Sequence, residues 1–227
     1  MDDPSLPPDR HVRALRGLRR LNRASGGARA LFPHVRRVAR ARDRSNPLRI
    51  ADIACGGGDV AVALLARARR AGIDARLTGV DVSPVALDEA ERTAAAADLT
   101  GHATWARADV LRDGPGVSAE VVVCNLFLHH LTADDAVALL AHLRDAVRPG
   151  GCLLVNDLRR GTITRALVTL GSYALTRSDV VRTDGPRSAR AAWTPDELRR
   201  LAAAAGLTGA VVRPARPCRM LLHWTAP

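Results

Sequence analysis

From Leu48 onward, apolar runs of strand length alternate with stretches of helical period. LRIADIA precedes a helix from Asp59 to about Ala71, ARLTGVDV precedes a helix after Ser83-Pro84, and HATWARADV is followed by AEVVVCNLFL. Thr132 reads as the N-cap of a helix running to Val147, which Pro149-Gly150-Gly151 ends before the strand CLLVND. Strands and helices that trade places in this way imply a parallel sheet with helices wound on both faces. At the end of the chain, TGAVVRP and CRMLLHW flank a Pro-Ala-Arg-Pro turn and predict an antiparallel hairpin.

Two segments lie outside this alternation. Before Pro47, helical spacing predicts one helix around Arg10 to Asn22, with Val12, Leu15, Leu18 and Leu21 inward, and another carrying Leu31, Phe32, Val35, Val38 and Ala39. Ser25-Gly26-Gly27 separates them. Residues 1–46 are therefore expected to form a helical arm that packs on the 47–227 domain or covers its open site. After Asp157 a helix carries Ile163, Ala166, Leu167, Leu170, Tyr173 and Ala174 on one face, and Thr176 to Ala192 reads as a loop or lid without clear period. The 158–193 region is expected to roof a substrate site. Thr194 and Glu197 form a capping box with Pro195 at the first helical position, so a helix starts there and stops at Gly206.

Composition narrows the class. At 227 residues, 47% hydrophobic and 25% charged, the chain is long enough and apolar enough to bury a core. It opens with Asp2 and Asp3 rather than a basic leader, and no apolar run approaches the roughly 18 to 20 residues of a membrane span. A cytoplasmic protein without an integral membrane segment is expected, with monomer and homodimer both open. Cys55, Cys124, Cys152 and Cys218 lack CxxC spacing and fall in apolar runs, so neither disulfides nor a metal site are expected. The formal charge is +11, yet all 34 basic residues are arginine, which points to base-composition bias rather than to nucleic acid. Residues 1–47 hold 12 Arg against 4 Asp, so the excess is an N-terminal feature, read as a solvated face rather than a phosphate-binding one. Three Trp, one Tyr and two Phe offer little for stacking on unpaired bases, which disfavours a nucleic-acid partner.

The candidate chemistry begins where a strand ends in Asp52 and Ala54-Cys55-Gly56-Gly57-Gly58 turns directly into a helix. Small residues let a ligand approach the backbone, and the amides at the start of the helix favour an anionic group. Dinucleotide sites want GxGxxG, whereas Ala54, Gly56 and Asp59 occupy those three places here. Asp81 ends the second strand, where a carboxylate can accept both ribose hydroxyls. Asp109 is read as the end of the third strand, placed to receive an adenine amino group while Val110 offers a backbone donor. Each acid alone is an ordinary strand-end residue; together with the turn they make a nucleoside-sized cradle.

On these residues the chain resembles the class I S-adenosylmethionine methyltransferases over most of residues 48–225. That resemblance implies a Rossmann-like, doubly wound sheet of seven mostly parallel strands with an antiparallel C-terminal hairpin, and S-adenosyl-L-methionine as cofactor. It assigns Asp52 and Gly56, Gly57 and Gly58 to the methionine end, Asp81 and Val82 to the ribose and adenine, Asp109 and Val110 to the adenine, and the Asn125 backbone to the bound amino acid. Ala54 stands where the DxGxGxG pattern has its first glycine. The segments LRRLNRASGG, NDLRRG and DGPRSARAAWTPDEL also resemble a bacterial subgroup that accompanies type III polyketide synthases and methylates phenolic products, although Thr183 replaces the histidine common there before the DG pair.

NLFLHHL carries neither a Pro-Pro-aromatic nor an obvious nucleophile after Asn125, which disfavours adenine or amide N-methylation. His129 and His130 are the candidate bases for an acceptor hydroxyl, and Asp157 is placed to orient a histidine or touch substrate. The expected reaction is direct, metal-free SN2 transfer to a small-molecule hydroxyl, probed against three rivals: C-methylation of a quinone-like ring, an RNA methyltransferase, and a non-catalytic protein retaining the cofactor fold.

Overall fold

The computed structural model describes residues 6–43, 45–215 and 217–227. Seven strands form one sheet: β1 (Leu48–Ile53), β2 (Ala75–Asp81), β3 (Ala103–Arg107), β4 (Ala119–Asn125), β5 (Val147–Leu158), β6 (Val211–Ala215) and β7 (Arg219–Thr225). Their order is β3-β2-β1-β4-β5-β7-β6, with the first five parallel and β7 antiparallel to both neighbours. Strand order reverses between β1 and β4, and the crevice at the carboxyl ends of such a pair is where doubly wound sheets hold ligands. Arg216, in the hairpin turn, lies outside the described residues.

Among the described residues, eight α-helices clothe the sheet: α1 (Pro8–Ser25), α2 (Gly27–Ala41), α3 (Asp59–Arg70), α4 (Pro84–Ala95), α5 (Ala133–Ala146), α6 (Thr162–Leu175), α7 (Asp179–Ala191) and α8 (Pro195–Ala204). One sheet face packs Val122, Leu153 and Leu222 against Leu139, Leu140 and Leu143 of α5 and Leu198 of α8. The other packs Ile50, Val121 and Leu154 against Leu64 and Leu65 of α3 and Leu31 and Val35 of α2. Because both faces are covered, the central strands are buried over most of their length, as continuous apolar runs require.

Four features sharpen or correct the sequence reading. First, α2 packs on the domain, one of the two alternatives for the arm: Ala28, Leu31, Val35, Val38 and Ala39 are built into the second core. Leu31→Ala is expected to cost about 2–5 kcal/mol of stability, the range for truncating a fully buried leucine, and denaturant unfolding measures it. Removing residues 1–46 would delete this core layer, so loss of the folded domain is expected before any selective effect on a site. In α1 the buried positions are Ala14, Leu15, Gly17 and Asn22; Val12, Leu18 and Leu21 are only partly covered.

Second, β3 ends at Arg107, two residues short of Asp109, and β5 begins at Val147 rather than Cys152. A register shift between Ala119 and Val121 absorbs the Pro149-Gly150 excursion. Third, the expected loop over 176–192 is mostly α7. Ser178 caps it through the Val181 amide at 3.4 Å, and Arg182 donates to the carbonyls of Thr176 and Tyr173. Gly185-Pro186 looks like a breaker in isolation, but a Cβ at Gly185 would stand 2.6 Å from Ser172 Oγ, so the glycine is there for close approach of α6.

Fourth, the apolar stripe of α6 faces outward, with Ile163 70%, Leu170 68% and Tyr173 59% exposed. Its inner side is made of Thr164, Gly171 and Ser172, small enough to lie against α1 and α7.

Candidate functional site

β1 delivers the chain into a turn in which Ala54, Gly56 and Gly58 all take left-handed conformations, at φ of 56°, 53° and 69°. Only glycine adopts that region without steric cost, so Ala54 carries strain that the first glycine of the family pattern avoids. Gly58 is also held tightly: a Cβ there would lie 2.8 Å from the Trp105 ring and 2.9 Å from Ala90. Asp81 fastens the turn from β2, accepting from the Gly56 amide at 2.8 Å and the Ser83 amide at 2.9 Å. Asp81→Ala is therefore expected to weaken cofactor affinity at least about tenfold in calorimetry, through a lost charged acceptor and a loosened turn together.

Asp52 is buried beneath this turn, and its Oδ1 has no hydrogen-bond partner among the described residues. Burial, reinforced by the charges of Asp59 and Asp81, pushes its carboxyl well above the ordinary range. Burial also raises Asp59, although a hydrogen bond from Asn22 and the charge of Arg219 oppose it. Crowded acids at the end of β1 leave a site that a cationic ligand would relieve, and the ammonium and sulfonium of S-adenosylmethionine fit that demand. Val82 is exposed at the end of β2, whereas Val110 is buried and its carbonyl lies 3.0 Å from His142 Nδ1. Asp109 is exposed and heads a turn, its Oδ1 accepting from the amides of Leu111 and Arg112 at 3.2 and 3.4 Å.

At the end of β4, Asn125 Oδ1 accepts from Asn156 Nδ2 at 2.7 Å and from Arg219 Nη1 at 3.1 Å. Leu126 follows in a left-handed conformation, φ 57°, pinned by its amide to the Asn156 carbonyl at 2.9 Å. A bulky residue held there is backbone strain of the kind that clusters at functional sites.

The chain then makes a short 3-10 turn over Leu128–His130. His129 is buried, and its Nδ1 lies 2.6 Å from Oδ1 of Asp157, which is fully buried at the end of β5. Asp157 Oδ2 also accepts the His129 amide at 3.2 Å, and Oδ1 the Leu158 amide at 2.6 Å. Burial opposes ionisation of Asp157, but attraction to His129 and these hydrogen bonds outweigh it and hold the carboxyl below its ordinary value. Trp193 Nε1 donates to the Leu128 carbonyl at 3.0 Å, anchoring the turn from the far side. His130 is exposed, its ring centroid 4.1 Å from that of His129.

The structure thus gathers Asp52, the glycine turn, Asp81 and Asn125 at one sheet edge, with the His129–Asp157 pair beside them. It also brings in residues the sequence reading missed. α1 lies over the turn, Leu15 standing 3.5 Å from where a Gly57 Cβ would be, and Arg16 bonds Glu89 of α4 at 2.8 Å. Arg219, which opens β7, is buried and donates to Asn22 Oδ1 at 2.7 Å and Ser25 Oγ at 2.8 Å. An arginine opening the apolar run CRMLLHW was the one signal for it. Among the described residues, no helix is long and apolar enough to cross a membrane.

A methyltransferase-domain family model matches residues 50–151. The chain is 29% identical over 140 residues to the mitochondrial ubiquinone biosynthesis O-methyltransferase of Schizosaccharomyces pombe, covering 61% of this chain and 48% of that protein. It is 31% identical over 175 residues to the ubiquinone biosynthesis O-methyltransferase of Dinoroseobacter shibae, covering 73% of this chain and 64% of that one. The chain thus spans less than two thirds of either relative. The fold matches human N-acetylserotonin methyltransferase, solved in complex with S-adenosylmethionine, with a TM-score of 0.67 at 16% identity over 97% of this chain and 56% of that chain. The matching domain, the strand order and a glycine turn ringed by acids together support a class I S-adenosylmethionine-dependent methyltransferase.

Proposed function

We propose that the chain transfers a methyl group from S-adenosylmethionine to a hydroxyl of a small phenolic or polyketide-derived acceptor. The observation that carries this reading is the buried His129–Asp157 pair one turn beyond Asn125. With Nδ1 donating to Asp157, the Nε2 lone pair of His129 is left to take a proton from substrate. A phenol near pKa 10 costs about 4 kcal/mol to ionise at pH 7, a barrier that such a base offsets. Asp157 fixes the ring by its carboxylate and the preceding backbone by the His129 amide, so the base is positioned before substrate arrives.

Asp52, the glycine turn, Asp81 and Asn125 would hold the cofactor, which when bound supplies an electrophilic methyl group on a sulfonium. Ala192 at the end of α7 packs with Leu126, Leu158 and Val168 beside the base, which suits the 158–193 region to exclude water over the acceptor. The names of the two curated relatives favour oxygen over carbon as acceptor atom.

Incubation with methyl-labelled S-adenosylmethionine and a panel of phenols, followed by product mass and fragmentation, tests the reading. One added methyl located on oxygen is expected. A methyl on ring carbon would replace it with C-methylation, and label entering only RNA, in a salt-sensitive manner, would replace it with the nucleic-acid reading.

A further inference from the structure

Arg219 is only 4% exposed, and among the described residues none of its hydrogen-bond acceptors carries a charge. They are Asn125 Oδ1, Asn22 Oδ1 and Ser25 Oγ, while the buried Nε has no partner. Asp59 and Asp157 lie close enough to act on its charge, yet among the described residues neither accepts a hydrogen bond from it, so the buried guanidinium keeps donor capacity that an anion could take.

A second observation converges on the same point. The 15-residue α2 begins at Gly27, with Gly26 as N-cap and no side chain capping its first amides. A Cβ at Gly27 would lie 3.3 Å from Arg219 Nη1 and 3.9 Å from Asn125 Oδ1. The positive end of a long helix and a buried guanidinium therefore meet against the last residue of β4. The acids Asp52 and Asp59 stand close by, Asp59 taking a hydrogen bond from the same Asn22 that holds Arg219. A ligand here would meet a guanidinium and helix amides together with carboxylates, the groups that suit a zwitterionic amino acid.

We propose that Arg219 and the amide end of α2 form the subsite for the α-carboxylate of the cofactor's methionine moiety, with Asn22 and Ser25 holding the guanidinium in place. This rests on the cofactor assignment and adds a residue to it. It also gives α1 a role in cofactor binding, since the arm supplies both holding groups.

The test compares three ligands by calorimetry: S-adenosylhomocysteine, its carboxamide, and 5′-methylthioadenosine, which lacks the amino-acid end. Replacing carboxylate by amide is expected to weaken binding to the unmodified protein about tenfold or more. Arg219→Gln is expected to weaken S-adenosylhomocysteine to a similar degree, to erase most of its advantage over the amide, and to leave 5′-methylthioadenosine within about twofold. Arg219→Lys, which keeps the charge but not the fork, should retain part of that advantage, and carries the test if the glutamine variant does not fold. Equal weakening of all three ligands, or equal binding of carboxylate and amide by the unmodified protein, would reduce Arg219 to an anchor for the arm and overturn the subsite. Failure of the unmodified protein to bind any of the three would instead overturn the cofactor assignment.

Discussion

Replacing His129 with alanine is expected to lower turnover by about 10² or more while leaving S-adenosylhomocysteine affinity nearly unchanged. On the proposed mechanism its loss removes a proton acceptor rather than a cofactor contact. Asp157→Asn should lower turnover by a comparable factor, because an amide no longer imposes the Nδ1–H tautomer that frees Nε2. His130→Ala should have the smaller effect, since its ring is exposed whereas that of His129 is buried and held by Asp157. Raising the pH should partly rescue His129→Ala on an acidic phenol, which then ionises without help. Full turnover by both single histidine variants at neutral pH would eliminate histidine base catalysis. Asp157 also bears on stability. Its folded-state carboxyl lies below the ordinary value, so its contribution is present above the unfolded value, near 3.9, and is lost as pH falls through the folded one.

Asp52→Asn should move stability and binding in opposite directions. The carboxyl is buried with an unpartnered oxygen and is pushed well above its ordinary value, so the folded chain holds this proton to higher pH than the unfolded chain does. Its stabilising contribution is full below the unfolded value, near 3.9, and is lost as pH rises through the raised one. Neutral asparagine removes that loss, and thermal unfolding at neutral pH should rise by about 2–4 °C for each kcal/mol relieved. Cofactor affinity should fall roughly 10- to 100-fold, because the ionised acid is what the ligand's positive charge stabilises. Binding to the unmodified protein should strengthen as pH rises through the raised value, and binding to Asp52→Asn should lack that dependence. A variant with lower melting temperature and unchanged affinity would remove Asp52 from the site.

The cradle is readable in the sequence because its parts are local. A glycine turn between strand and helix, and an acid at the end of the next strand, are set by backbone geometry over a few residues, and the turn conformations at Gly56 and Gly58 follow from them. Asp109 stands two residues beyond β3 rather than at its end because a strand's last hydrogen bond depends on its neighbour, here β2, rather than on its own sequence. The 176–192 stretch reads as a loop for a similar reason. Gly185 and Pro186 weaken a helix in isolation, yet α7 forms because Ser178 caps it and α6 packs against the glycine.

The alternation of apolar runs, by itself, determined a parallel sheet with helices on both faces, since period-2 and period-3.6 burial cannot be satisfied otherwise along one chain. The turn and its acids mark where a nucleoside is expected to lie. What only the tertiary structure decided involves residues far apart in sequence. His129 rather than His130 meets Asp157, 28 positions away, because β4 and β5 are neighbours in the sheet. Arg219 reaches Asn22, 197 positions away, because β7 folds back antiparallel and brings its first residue to the edge where the parallel strands end. Composition and period record which face of an element is buried; which buried polar groups face each other depends on strand order, and that is a property of the folded chain.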